Sequence, residues 1–303
     1  MTARATPERR GAARLSTVQL FGAAVAIWGT TWFAITFQLG RVPPEASVAW
    51  RFGMAALLAA AICRLRGHTL ALPARVHREL ALLGVTMFCA GYLAVYHAEA
   101  RLASGLVAVG YSTSPLVNLA ISRLALGTRA SRATLLGALL GVSGVALAFW
   151  PEVAGWRARP GALAGVALTA LGVLSSAVGN VFATRLERIG IHVWQKMAWG
   201  MAYGSGGCLL AALASGQPLT FDWTATYVAS LLYLAVLGSI GAFSSFLTLL
   251  ERIGPARAGY VGVMTPIVAL LLSGAFEGLA LRPLLLAGVL VAVAGNVVML
   301  RQG

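Results

Sequence analysis

A proline recurs at matched positions of two long apolar stretches, and this limits what the chain can fold into. Arg101-Leu102 opens a stretch that reaches Pro115-Leu116-Val117, and Arg252-Ile253 opens one that reaches Pro266-Ile267-Val268. The two register at a spacing of 151; Ser122 and Ser273, then Gly127 and Gly278, stay in step. Shorter echoes flank them. Phe33-Ala34 matches Phe182-Ala183, Ala49-Trp50 matches Ala198-Trp199, and Gly137 and Gly144 match Gly288 and Gly295. A duplicated hydrophobic unit with breakers at equivalent depths is the pattern of secondary transporters built from repeats.

Composition selects the solvent. Of 303 residues, 59% are hydrophobic and 11% are charged, against about 25% charged in a soluble domain. Too few polar side chains remain to cover the surface in water. A helix needs ~20 mainly apolar residues to cross a bilayer. Ten stretches qualify, near 18–39, 44–64, 79–98, 103–124, 133–150, 161–184, 193–215, 227–249, 256–275 and 283–300. Barrel strands would be half as long and alternating, unlike Ala133 to Phe149. The expected fold class is an all-α membrane protein with ten transmembrane helices in two five-helix repeats. The first ~16 residues form a polar cytoplasmic tail, 17–150 the first repeat, 151–160 an outer linker with Trp156 as anchor, and 161–303 the second repeat. Five spans per half is odd, so the second half enters from the opposite face and the repeats are inverted. No cleavable signal is expected, because the first apolar run is too long for one.

The formal charge of +14 is unevenly placed. With the N-terminus in the cytoplasm, the inner loops collect Arg4, Arg9, Arg10, Arg14, Arg64, Arg66, Arg75, Arg78 and others. The outer side receives only Arg41, Arg101, Arg157, Arg159 and Arg282. Such asymmetry orients a membrane protein with both termini inside and argues against a nucleic-acid partner. Cys63, Cys89 and Cys208 fall in spans without metal spacing, and read as packing residues. No metal, cofactor or phosphate-loop motif occurs, which argues against ATP-driven transport by this chain and against metal-linked catalysis.

Ionisable groups inside a bilayer cost several kcal/mol unless paired or wetted. Arg51, a third of the way into the second span, reads either as a cavity charge for a carboxylate or as a snorkelling residue; Glu45, closer to the span's end, reads as marking the interface and is a candidate partner. Lys196 reads as snorkelling at the inner face. His97 and Glu99 read as residues near the outer surface, and no acid lies near a span centre, so no simple proton relay is expected. Mid-span aromatics are the second clue, because a tyrosine hydroxyl in hydrocarbon lacks a partner. Hydroxyl and amide clusters at similar depth are the third. The expected substrate cavity comprises Trp28, Thr31, Tyr92, Tyr96, Tyr111, Ser114, Ser176, Asn180, Trp199, Tyr203 and Phe243, with Pro115 and Pro266 as hinges whose freed carbonyls can receive an ammonium. Ordinary helix packing is the competing reading of each aromatic, and four-residue glycine spacings such as Gly137/Gly141 read as close helix contact.

The run Ile27-Trp28-Gly29-Thr30-Thr31-Trp32-Phe33-Ala34 resembles the first-span signature of the EamA-type branch of the drug/metabolite transporter superfamily. Pro44 with Trp50-Arg51-Phe52, the prolines at 115 and 266, and Gly137 to Val142 with Gly144 resemble its second, fourth, ninth and fifth spans. The resemblance covers about residues 18–300. It implies ten helices in two inverted repeats and export of small organic metabolites across the bacterial inner membrane. Within that branch the chain resembles the aromatic amino-acid exporters of the YddG type, which implies an amino-acid substrate. Ser112-Thr113-Ser114 stands where those exporters carry aromatic residues, which points to a broader range of neutral amino acids. A nucleotide-sugar carrier, a drug exporter, a lipid scramblase and a membrane-embedded enzyme are the alternatives.

Overall fold

A computed structural model describes residues 15–126, 132–155, 161–258 and 260–300, which are helical with no strand among them. The helices are α1 Thr17–Thr36, α2 Pro44–Leu65, α3 Ala74–Glu99, α4 Ser104–Tyr111, α5 Ser114–Leu126, α6 Arg132–Ala154, α7 Ala162–Arg188 and α8 Val193–Ala214. Then come α9, which joins Ala225–Leu232 to Ala242–Ala258, α10 Tyr260–Phe276 and α11 Pro283–Leu300. Among the described residues, seven stretches are long and apolar enough to cross a membrane; Leu139–Pro151, Met264–Phe276 and Pro283–Val298 are shorter apolar helices. Large apolar side chains stand outward on many of them, Leu57 at 74% exposed and Leu290 at 69%, as lipid contact requires.

Local sequence sets the helix ends. Ser16 and Gln19 form a capping box at α1, and His192 and Gln195 form one at α8, each satisfying otherwise orphaned backbone N–H groups. Pro44 enters α2 in its first turn, where no N–H is needed. α4 and α5 are one apolar stretch broken at Ser112-Thr113, directly before Pro115. Pro266 sits inside an unbroken α10. α6 runs past Trp150 and through Pro151 to Ala154, so the segment expected as linker begins with a helical turn. Trp156 and the rest of that segment lie outside the described residues, as does most of the N-terminal tail.

Two segments depart from α geometry. Gly84–Ala90 in α3 and Tyr233–Gly241 in α9 are π-helical, each an extra residue accommodated within a turn. Their starts are related by the same offset as the sequence echo of Ala49-Trp50 in Ala198-Trp199.

The most extensive contacts join an element of the first half to one of the second. α6 packs on α11, α2 on α8, α1 on α9 and α10, α3 on α7, and α4 on α10. Glycine allows the closest of these. A Cβ at Gly144 would stand 2.3 Å from the Ala292 nitrogen, and one at Gly295 would stand 2.5 Å from the Gly141 nitrogen. Low numbers in α6 meet high numbers in α11, so the pair is antiparallel, backbone against backbone.

Candidate functional site

The halves enclose a cavity of about 310 Å3. Its walls come from α1, α2, α3, α4, α5, α7, α9 and α10. Trp28, Thr31, Tyr92, Tyr111, Ser114, Ser176, Asn180, Phe243 and Arg51 line it, as do Pro115 and Pro266. The sequence expectation missed Trp32, Met87, Asn118, Phe246 and Thr265, which also line it. Two of these had signals: Trp32 is one turn from Trp28, and Asn118 follows Pro115 within a turn.

Aromatic rings form much of the wall and hold one another. Trp28 lies edge-on to Phe243 with centroids 5.2 Å apart, and Trp32 meets Tyr111 at 5.0 Å. The Trp28 indole N–H donates to the Gly238 carbonyl at 3.3 Å, within the second π segment. The Thr30 hydroxyl and Tyr233 hydroxyl hydrogen-bond at that segment's start. Asn180 Nδ2 donates to Asn118 Oδ1 at 3.0 Å across the cavity mouth.

Three expected residues lie elsewhere. Tyr96 is fully buried near the end of α3, donating to Gln38 Oε1 at 2.7 Å. The Trp199 indole donates to the Leu70 carbonyl at 3.0 Å, and the Tyr203 hydroxyl is 2.9 Å from His77 Nδ1. α8 packs on α2 and the first π segment, so it stands behind the cavity wall. Its aromatic pair fastens the 69–72 loop and the start of α3. Glu45, near the start of α2, pairs with His97 Nε2 at 2.9 Å and not with Arg51.

Among the described residues of the lining, Arg51 is the one charged side chain, and it is 1% exposed. Its Nε donates to Ser239 Oγ at 3.4 Å, again in the second π segment. Its guanidinium lies 4.6 Å from the Tyr92 ring centroid and 5.2 Å from that of Phe52. Nη1 has no hydrogen-bond partner among the described residues. Cation–π attraction offsets part of the burial cost, and the free Nη1 leaves a strong donor for an anion.

The cavity is closed at one end. Toward the face bearing the turns near 40, 102 and 279, its lining is buried, with Ile35, Val95 and Ala108 all at 3% exposed or less. Polar ties seal this face. Glu277 accepts from the Ser104 backbone N–H at 2.8 Å and from its hydroxyl at the N-terminus of α4, where a negative charge is favoured. Arg41 pairs with Asp222 at 3.5 Å, joining the turn after α1 to the segment before α9; Arg101 Nη1 donates to the His97 carbonyl at 2.6 Å, at the end of its own helix. At the other end Asn180 and Gly262 are exposed. Among the described residues there is no cluster of metal-ligating side chains.

The comparisons with known proteins agree with this architecture. The chain is 31% identical to the uncharacterized inner membrane transporter YedA of Escherichia coli (strain K12), over 86% of this chain and 83% of that protein. It is 29% identical to protein PecM of Dickeya dadantii, over 84% and 82%. It is 24% identical to a probable amino-acid metabolite efflux pump of Salmonella typhimurium, over 89% and 90%. A solved crystal structure shares the fold with a TM-score of 0.67 at 19% identity, covering 93% of this chain and 96% of that one. The EamA-like transporter family matches residues 15–150 and again 163–301, so the chain is a membrane transporter that belongs to that family.

Proposed function

We propose that the chain exports neutral amino acids, aromatic ones among them, across the bacterial inner membrane by alternating access. The observation that carries this reading is Arg51. A buried guanidinium with an uncommitted Nη1, inside a cavity walled by Trp28, Tyr92, Tyr111 and Phe243, suits a carboxylate attached to an apolar or aromatic side chain. The Asn118–Asn180 pair and the carbonyls freed by Pro115 and Pro266 supply acceptors for the ammonium. A volume of about 310 Å3 is at the small end of the usual range for ligand sites, about 300–1,000 Å3. That favours one amino acid over a nucleotide sugar. The efflux-pump relative from Salmonella supports the same substrate class.

Ten spans in two inverted repeats give the mechanism. The principal helix pairings are kept when each helix is exchanged for its counterpart in the other half: α2 with α8 and α6 with α11 map onto themselves, and α3 on α7 maps onto α9 on α1. The antiparallel contact of the equivalent helices α6 and α11 supports the inversion. Counting Arg and Lys by face supports cytoplasmic termini. On that orientation the sealed face is the outer one, and the cavity opens inward.

Proteoliposomes loaded with labelled phenylalanine, leucine or lysine test the reading. Phenylalanine and leucine are expected to move, and phenethylamine, which lacks the carboxylate, is not. Arg51→Gln should lower the apparent affinity roughly 10- to 100-fold, the loss of about 1.5–3 kcal/mol for a hydrogen bond to a charged group. No movement of any amino acid by folded protein, or equal movement of phenethylamine, would sink the proposal.

A further inference from the structure

Glu99 ends α3 at the sealed face, where a terminal carboxylate would ordinarily reach water. Its side chain is drawn inside instead. The residue is 7% exposed, and both carboxylate oxygens lack a hydrogen-bond partner among the described residues. It lies between the seal and the cavity, one turn from the Tyr96–Gln38 hydrogen bond.

The charged and titratable groups around it come from each packed element. α2 contributes Arg51, α4 contributes Tyr111, and α10 contributes Glu277 just past its end; all three are in electrostatic reach. Glu277 is committed to Ser104 of α4. Glu45 of α2 is committed to His97, and Arg101 to the His97 carbonyl. Tyr96 on α3 itself is committed to Gln38. The first turns of α7 carry no ionisable side chain. None of these groups is bonded to Glu99. A buried carboxylate without a hydrogen-bonded partner costs several kcal/mol, and binding a proton removes that cost. Opening the face to water removes it equally well.

We propose that Glu99 is a proton-binding site that couples opening of the sealed face to pH. With the face closed the side chain is the carboxylic acid. On opening, its O–H bond breaks, the electron pair stays on the carboxylate, and the proton passes to water on that side. Acid therefore holds the face shut and alkali releases it.

The test needs no substrate, so its failure is separate from a failure of the amino-acid reading. Spin labels go on Ala225→Cys and Ala280→Cys, exposed positions on two elements of the sealed face; the native cysteines are buried. Distances are measured in nanodiscs from roughly pH 5 to 9, the range in which a buried carboxyl titrates. A single short population is expected at acid pH, with a longer one growing as pH rises. Glu99→Gln should keep the short population throughout. Glu99→Asp should respond with a displaced midpoint, and that displacement decides the matter if the Gln variant does not fold. His97→Gln should respond like the parent chain. A parent distribution that ignores pH, a Glu99→Gln variant that follows the parent, or an Asp variant with the parent's midpoint overturns the proposal. So does loss of the response in His97→Gln, which would assign it to the Glu45–His97 pair.

Discussion

At the scale of single residues, surface and interior charges follow different rules. Asp222 accepts from the Thr224 backbone N–H at 2.9 Å, from its hydroxyl at 3.0 Å, and from Arg41 Nη1 at 3.5 Å. The Thr224 N–H first, then its hydroxyl and Arg41, hold the carboxyl below the usual carboxylate range. A lowered folded value means that the stabilisation is complete above the unfolded value of about 3.9 and is lost as pH falls through the folded one. Asp222→Asn should therefore melt below the parent protein at neutral pH, and the gap should close as pH drops below about 4. Arg41→Gln should change the melting less, because Arg41 is exposed and such pairs contribute little. Differential scanning fluorimetry across pH measures both. The aromatic logic of the sequence placed Trp28, Tyr92, Tyr111 and Phe243 in one cavity wall. The same logic failed for Trp199 and Tyr203, because their partners, Leu70 and His77, lie far away in sequence. Glu99 was misjudged for a related reason. Position at a span end predicts water contact, and only packing against other elements removes it.

At the scale of elements, glycine spacing was legible and helix irregularity was not. The echo of Gly137 and Gly144 in Gly288 and Gly295 became the contact of α6 with α11. A side chain there meets backbone atoms, which cannot swing aside as a flexible side chain can. Gly144→Val should destabilise the protein by about 1–3 kcal/mol, the usual cost of overpacking. Gly22→Val, where a Cβ meets nothing within 4 Å, serves as the control, and thermal denaturation in detergent compares the two. The π segments left no compositional mark. Gly84–Ala90 and Tyr233–Gly241 share little sequence, yet both change the register of a helix beside the cavity. The second one supplies the Gly238 carbonyl to Trp28 and the Ser239 hydroxyl to Arg51. The two prolines show how local context decides. Pro115 follows Ser112 and Thr113, whose hydroxyls bond back to the Val109 and Gly110 carbonyls and so compete with the helical ladder; there the helix breaks. Among the described residues before Pro266 only Thr265 bonds back, four residues along an intact helix.

At the scale of the molecule, the closed and open ends of the cavity involve different kinds of contact. The closed end is held by ties from the turns of that face to neighbouring turns and helices: Ser104 with Glu277, Trp50 with the Thr220 carbonyl, and Arg41 with Asp222. At the opposite face, His68 stacks on His192 at 3.9 Å, and Gln195 donates to the Thr69 carbonyl at 2.7 Å. These fasten α8 to the turn after α2, and among the described residues the mouth between α5, α7 and α10 is crossed only by the Asn118–Asn180 hydrogen bond. Alternating access requires these two faces to meet different compartments. Arg66 and Trp223 are exposed on opposite faces, Trp223 at 84%. With the cysteines at 63, 89 and 208 buried, Arg66→Cys and Trp223→Cys can each be probed in intact cells with a membrane-impermeant maleimide. Trp223→Cys should label without lysis, and Arg66→Cys only after it. Labelling of both from outside would mean that the arginine-rich face does not point inward. The inward-open orientation of the cavity would then be wrong.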